Sequence, residues 1–188
     1  MANYELILAS QSPRRQQLLA QMGYEFEVRL QETDETVPLD MPIQEVPLFL
    51  ARKKADTFMK ALKNDELLIT ADTIVIIGNE ILNKPQDEKE AFEMLSKLSG
   101  KRHEVVTGFC LTSLEKQVTD SDTTLVFFRH LTAKEINFYI KNYAPFDKAG
   151  SYGAQDWIGM VGVQHIEGSY FNVMGLPTHK LYQALLNF

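Results

Sequence analysis

The chain carries one cysteine, Cys110, in 188 residues. A single thiol cannot close an internal disulfide, which fits a reducing compartment. No stretch approaches the roughly 18 uninterrupted apolar residues of a membrane span. The first residues lack the basic flank, apolar core and cleavage pattern of a signal peptide. These absences predict a cytoplasmic protein without membrane attachment. Lys and Arg number 19 against 25 Asp and Glu, for a formal net charge of −6. That balance disfavours sequence-independent binding to long nucleic acid, and the basic residues are dispersed rather than gathered in one tract. The four histidines are far apart, with no HExxH pair and no Cys/His zinc spacing. Ser99-Gly100-Lys101 lacks the upstream glycine and the following hydroxyl residue of a P-loop. There is no GxSxG elbow, and Gly159-Met160-Val161-Gly162 lacks the spacing and helix start of a dinucleotide fingerprint. Internal repeats and low-complexity tracts are missing too.

What remains is an ordinary globular composition, 45% apolar and 23% charged, long enough for one substantial core, as one body or two lobes. Periodicity predicts a buried strand over residues 4–9 and a helix over 13–22, with Leu18, Leu19 and Met22 inward and Gly23 at its end. Alternation over 25–30 reads as a half-buried strand, and 31–42 as a polar loop. A helix is expected over 45–62, with Val46, Leu50, Ala51, Ala55, Phe58 and Leu62 on one side. The run 67–77 reads as a central strand, followed by a turn at Gly78-Asn79 and a short strand at 80–83. An amphipathic helix is predicted over 87–98, a long hairpin over 103–113 and 117–130, and a capped helix from Thr132 to about Tyr143. Residues 144–156 read as a loop too polar for core, 159–166 as a strand, and 177–186 as a terminal helix. Helices and strands mix without strict alternation, so the fold class is α/β with a mixed sheet.

The densest chemistry lies in Ser10-Gln11-Ser12-Pro13-Arg14-Arg15, between an apolar strand and a helix. Ser12 suits an N-cap and Pro13 the first helical position. Arg14 and Arg15 then fall in the first turn, where cations oppose the helix dipole by roughly 0.3–1 kcal/mol each. Two arginines beside exposed backbone N–H groups make an anion site, and phosphate is its natural tenant. Asp72 interrupts an otherwise apolar strand. An ionised carboxylate there must be paired or bind metal, so it reads either as a structural acid or as a metal-binding or general-base carboxylate. Glu35 is a second carboxylate in an acidic loop, and Mg²⁺ commonly uses one or two carboxylates plus phosphate oxygens. Lys54 shares a helical face with Leu50 and Phe58, which turns it partly inward. Lys84, before Pro85, ends the short strand and could supply a point charge to phosphate. In Asp147 to Gln155, Gly150 and Gly153 allow close backbone approach, while Gln155 offers donor and acceptor to a base edge.

The ordered set Leu8-Ala9-Ser10-Gln11-Ser12-Pro13-Arg14-Arg15, Asp34-Glu35, Lys54-Ala55, Ala71-Asp72-Thr73, Lys84-Pro85, Leu98 to His103, Asp147 to Gln155, Ile166 to Tyr170 and Gly175-Leu176-Pro177 resembles the Maf family of nucleoside triphosphate pyrophosphatases over nearly the whole chain. The resemblance implies one domain over residues 1–188, built as an elongated mixed sheet flanked by helices. It implies two lobes with a central cleft and no separable linker, related to inosine triphosphate pyrophosphatase. It implies hydrolysis of a nucleoside triphosphate to monophosphate and pyrophosphate with a divalent cation (Mg²⁺, Mn²⁺ or Co²⁺), in a homodimer. Glu35 and Asp72 would hold the cation, with Asp72, Glu35, Lys54 and Lys84 catalytic. Ser10, Ser12, Arg14, Arg15, Thr73 and Gln155 would bind substrate. Arg14, Thr73 and Gln155 match the branch associated with dTTP and UTP rather than 7-methyl-GTP. Asn83 stands where glycine commonly precedes the Lys-Pro pair, and Ala154 replaces the usual Ile, which thins an apolar wall near the base. The alternatives are a nucleotide-sensing regulator of cell division that does not cleave, and a pyrophosphatase that clears modified nucleotides.

Overall fold

The computed structural model describes residues 4–188. Its strands and helices follow in the order β1 (Glu5–Leu8), α1 (Pro13–Gln21), β2 (Glu27–Val28), α2 (Val46–Phe58), β3 (Glu66–Ile77), β4 (Glu80–Leu82), α3 (Glu88–Leu98), β5 (Arg102–Thr112), β6 (Gln117–Phe128), α4 (Ala133–Tyr143), α5 (Trp157–Gly162), β7 (Val163–Glu167), α6 (Tyr170–Met174) and α7 (Thr178–Leu186). The strands make one mixed sheet in the order β2-β1-β3-β5-β6-β7, with β4 paired to β3. β1 runs parallel to β2 and β3, whereas β4 and β7 run antiparallel to β3 and β6. This is the expected α/β class with a mixed, helix-flanked sheet.

The chain forms two compact units from interleaved segments. The first takes the chain up to Asp72, Thr107–Asp122 and Gly175–Phe188, and the second takes Thr73–Val106 and Thr123–Met174. In the first, β1 and β3 bury Ile7 and Leu68 against Ala51, Ala55 and Phe58 of α2, with Leu62 and Cys110 completing the cluster. The 3–4 spacing on α2 is what brings its three residues onto one side. In the second, α3 presents Ala91, Met94, Leu95 and Leu98, and α4 presents Ile136, Tyr139 and Ile140. These two helices pack against each other. Their starts are fixed locally: Asp87 accepts from Glu90 N, and Thr132 with Glu135 forms a reciprocal capping box.

Three expectations are corrected. The strand over 25–30 shrinks to Glu27–Val28, both exposed, with Leu30 also exposed. Alternation there reflects an edge strand with little to cover it. Residues Gly150 to Ala154 are buried, not too polar for core. Tyr152 and Ala154 join the second unit's core, and the glycines let backbone rather than side chain fill the space. A Cβ at Gly150 would stand 2.9–3.0 Å from the Val75 side chain, and its φ of +66° favours glycine besides. Residues 159–162 are helical, within α5, and only 163–167 form a strand. A short apolar run fits either state by periodicity alone. Here Gly159 decides, because a Cβ would lie 2.0 Å from Ala154 O, so only glycine lets the chain fold back this tightly.

The edge strand β2 is held by charge. Arg29 Nη1 and Nη2 each donate to the Glu66 carboxylate at 3.0 Å, and Lys63 N donates to it at 2.9 Å. Glu66 is fully buried. A buried carboxylate is tolerated when paired and hydrogen-bonded in this way. The hydrogen bonds from Arg29, more than any other influence, pull its pKa from the usual 4.5 to about 2. A depressed carboxylate contributes stability above its unfolded pKa and loses it as pH falls through the folded one. Glu66→Gln is therefore expected to lower the denaturant midpoint near neutrality and to flatten the loss of stability between pH 4.5 and about 2. Denaturant midpoints measured across that range check this, and parallel wild-type and variant curves would refute it.

Candidate active site

The first unit holds seven of the residues singled out in the sequence: Ser10, Ser12, Arg14, Arg15, Glu35, Lys54 and Asp72. Asp72 and Thr70 lie two apart on β3 and so share a face. The Thr70 hydroxyl donates to Ala51 O on α2 at 2.6 Å, which fixes that helix over the strand. Lys54 lies three residues beyond Ala51 and reaches the same place. Its Nζ stands 2.5 Å from Asp72 Oδ1 and 2.9 Å from Glu35 Oε1. One ammonium thus holds both carboxylates. Asp72 and Lys54 are largely enclosed, and Glu35 is more than half exposed.

Glu35 reaches this position because its loop is pinned along α2. Thr33 Oγ1 lies 3.3 Å from Thr57 Oγ1, and Lys53 Nζ donates to Asp34 Oδ2 at 2.8 Å and to Thr36 O at 3.1 Å. Asp34 Oδ1 also accepts from Thr36 N at 3.0 Å and Thr36 Oγ1 at 2.5 Å. The bond from Lys53, then those from Thr36, hold the Asp34 carboxyl well below its usual range. Asp34 and Lys53 position the loop, a role that the sequence motif Asp34-Glu35 does not itself give. The available signal was the match of adjacent acids at 34–35 with adjacent lysines at 53–54.

On the other flank, Ser12 caps α1 by accepting from Arg15 N at 3.5 Å, as expected. Its own N–H donates to Ser10 Oγ at 3.2 Å, and Gln16 Nε2 holds Ser10 O at 3.1 Å. Arg15 does more than face an anion. Its Nε donates to Gly175 O at 2.7 Å and its Nη1 to Ala71 O at 3.0 Å, with Ser10 Oγ at 3.5 Å. It therefore braces α1 against the residue before Asp72. Burial lowers its pKa from the usual value, Asp72 opposes that, Arg14 adds to it and Glu35 opposes it, though a guanidinium stays charged throughout. Arg15 therefore feels the charges of Asp72, Arg14 and Glu35 together.

Thr73, Lys84 and Gln155 belong to the second unit. Thr73 is half-buried, and Lys84 is exposed just after β4. Gly150 N donates to Asn83 O at 3.1 Å, so the Lys84 segment and the glycine-bearing loop lie together. Gln155 is half-buried beside Asp156. Beneath that loop Tyr152 packs edge-on to His103 and Phe128, its hydroxyl 2.7 Å from His103 Nε2. Burial holds His103 down to about 3, so it is a neutral support at ordinary pH.

As a metal centre, Glu35 and Asp72 offer hard oxygen donors around a spot already occupied by positive charge, the Lys54 ammonium. That donor set suits Mg²⁺ or Mn²⁺ with phosphate oxygens and water completing the shell. Among the described residues no group of three or more His, Cys, Asp or Glu could hold a metal by itself. Chemically, the arrangement can grip a polyanion with cations and a capped helix start while presenting two acids to a water or a metal. The register bond is testable. Thr70→Val is expected to destabilise the fold by about 1 kcal/mol, whereas Thr70→Ser preserves its stability. Denaturant titration checks this, and an unchanged midpoint in Thr70→Val would contradict it.

A family model described as Maf-like protein matches residues 5–188. Among curated proteins, the chain is 49% identical over 186 residues to a protein from Phocaeicola vulgatus, covering 98% of this chain and 96% of that one. It is 50% identical over 183 residues to one from Bacteroides fragilis, covering 97% and 95%. A protein from Flavobacterium psychrophilum is 48% identical over 185 residues, with 98% and 95% covered. Each of these relatives is named dTTP/UTP pyrophosphatase.

Proposed function

This chain belongs to the Maf family, and from that premise we propose that it is a nucleoside triphosphate pyrophosphatase that hydrolyses dTTP and UTP to the monophosphate and pyrophosphate. The observation that carries the reading is the single Lys54 ammonium shared by Glu35 and Asp72, with the Ser10-to-Arg15 turn tied by Arg15 to the carbonyl of Ala71 beside Asp72. The names of relatives at 45–50% identity over almost the whole chain support the same substrates.

In this reading Arg14 and Lys54 meet the triphosphate charge. Ser10, Ser12 and the N–H groups at the start of α1 hydrogen-bond phosphate oxygens. Arg15 contributes charge while its carbonyl bonds hold the turn in shape. Asp72 accepts a proton from the water that attacks the α-phosphorus, or orients that water, and the bond to the β-phosphate bridging oxygen breaks. A divalent cation (Mg²⁺, Mn²⁺ or Co²⁺) held by Glu35 and Asp72 would neutralise charge gathering on the departing pyrophosphate. The family motif gives Lys84 a share of the phosphate charge, and gives Thr73 and Gln155 roles toward the base.

A non-cleaving nucleotide sensor is the second reading. The two carboxylates placed on one cation favour catalysis, since sensing a polyanion needs no acids at its contact. We further propose action in the cytoplasm as a homodimer, and clearance of modified pyrimidine triphosphates alongside the ordinary ones. No described helix is long and apolar enough to cross a membrane.

Pyrophosphate release from purified protein, with each cation and a panel of dTTP, UTP, CTP, 7-methyl-GTP and methylated or deaminated triphosphates, tests the proposal. Release greatest from dTTP and UTP is expected, and none from any triphosphate would establish the sensor instead. Asp72→Asn is expected to lower kcat by about 10²–10⁴-fold with the fold intact by circular dichroism. A near-normal rate would reject its catalytic role.

A further inference from the structure

The second unit contains a polar knot beside Gln155 that the steps just given do not use. Asp156 Oδ2 accepts the Tyr139 hydroxyl hydrogen at 2.7 Å, and Asp156 Oδ1 accepts Gln155 Nε2 at 3.2 Å. Lys148 Nζ lies 2.8 Å from Asp147 Oδ1 and 3.7 Å from Asp156 Oδ2, so this lysine braces the loop. The Tyr139 oxygen in turn accepts Gly153 N at 3.1 Å. Tyr139 is fully buried on α4 and stacked on Tyr143, so its hydroxyl is a fixed reference. Gly153 makes the closure possible, because a Cβ there would stand 2.6 Å from Asp156 Oδ2 and 2.7 Å from Gln155 Nε2.

A side-chain amide has two faces, one donating and one accepting, and nothing in the amide itself chooses between them. Asp156 chooses. A carboxylate only accepts, so Gln155 must turn its NH₂ toward it and its oxygen away. That oxygen, Oε1, is buried and has no hydrogen-bond partner. A buried acceptor left unfilled is a standing cost that a bound donor removes.

We propose that Asp156 is a positioning residue for base selection: it locks the Gln155 amide so that an acceptor is presented, and this selects bases carrying a ring N–H. Uracil and thymine have such a donor at N3, whereas cytosine has an unprotonated ring nitrogen there and would leave two acceptors opposed. The inference rests on the proposed pyrimidine triphosphate activity and deepens it, by naming the atom that is read and the residue that sets its polarity.

The test is equilibrium binding, which does not depend on turnover. Affinities of the non-hydrolysable α,β-imido analogues of UTP and CTP are measured by calorimetry for the wild type, Asp156→Asn and Asp156→Glu. In Asp156→Asn, the Tyr139 hydroxyl hydrogen keeps the new amide oxygen on its side, so the new NH₂ faces Gln155 and turns that amide over. The preference for the uracil analogue is expected to fall by about tenfold or more in this variant and to persist in Asp156→Glu, which still only accepts. An unchanged preference in Asp156→Asn, even with both affinities weakened, would overturn the proposal and leave the function intact. Should that variant not fold, the wild type carries the test with an N3-methylated uracil analogue, which lacks the donor. At least a tenfold weaker affinity is expected, and equal affinity refutes the proposal. Wild-type protein that binds no pyrimidine analogue at all would refute the proposed function itself, and this inference with it.

Discussion

One ammonium nitrogen shared by two carboxylates is the constraint around which the first unit is organised. Without Lys54 Nζ, Asp72 and Glu35 would face each other as like charges in a partly enclosed place, which is unfavourable unless a cation intervenes. Each neighbouring feature serves that placement. The Thr70 bond to Ala51 O sets α2 over β3, and the Lys53 bonds to Asp34 and Thr36 lay the acidic loop along the same helix. Arg15 ties the start of α1 to the carbonyl of Ala71, one residue before Asp72. The result is a set of paired and hydrogen-bonded charges, held in place before any ligand arrives. Such pre-organisation is where enzymes acting on phosphates obtain most of their transition-state stabilisation.

Much of this was legible in the sequence because it follows from local rules. The Ser12 cap, Pro13 and the paired arginines announced the start of α1, and the inward turn of Lys54 followed from its spacing to Leu50 and Phe58. Asp72, set within the apolar run 67–77, had to be paired, and it is. The partner is a lysine from a helix eighteen residues earlier, which strand periodicity cannot name. The carbonyl bonds of Arg15 were equally hidden, since they join positions 160 and 56 residues apart.

The misread segments share a cause. Gly150 to Ala154 and Gly159 to Gly162 were judged by side-chain polarity and apolar runs, yet both are decided by backbone packed where a Cβ would collide. Glycine-dense sequence looks like surface loop until the neighbours that fill its space are known. The same holds for Asp156, whose importance comes from what Tyr139, on α4, and Gly153 place around it. In both units the catalytic and binding candidates were readable by residue type, while the residues that aim them were not. Aiming is tertiary, and a single sequence records it only as composition.

A crystal structure with Mn²⁺ and α,β-imido-dUTP, with anomalous scattering to locate the metal, decides whether the Lys54 ammonium holds the place of a cation. Manganese is expected within bonding distance of Glu35 and Asp72 oxygens, with Lys54 Nζ turned from the two acids to a phosphate oxygen. Manganese elsewhere, with Lys54 still bridging both carboxylates, would contradict it.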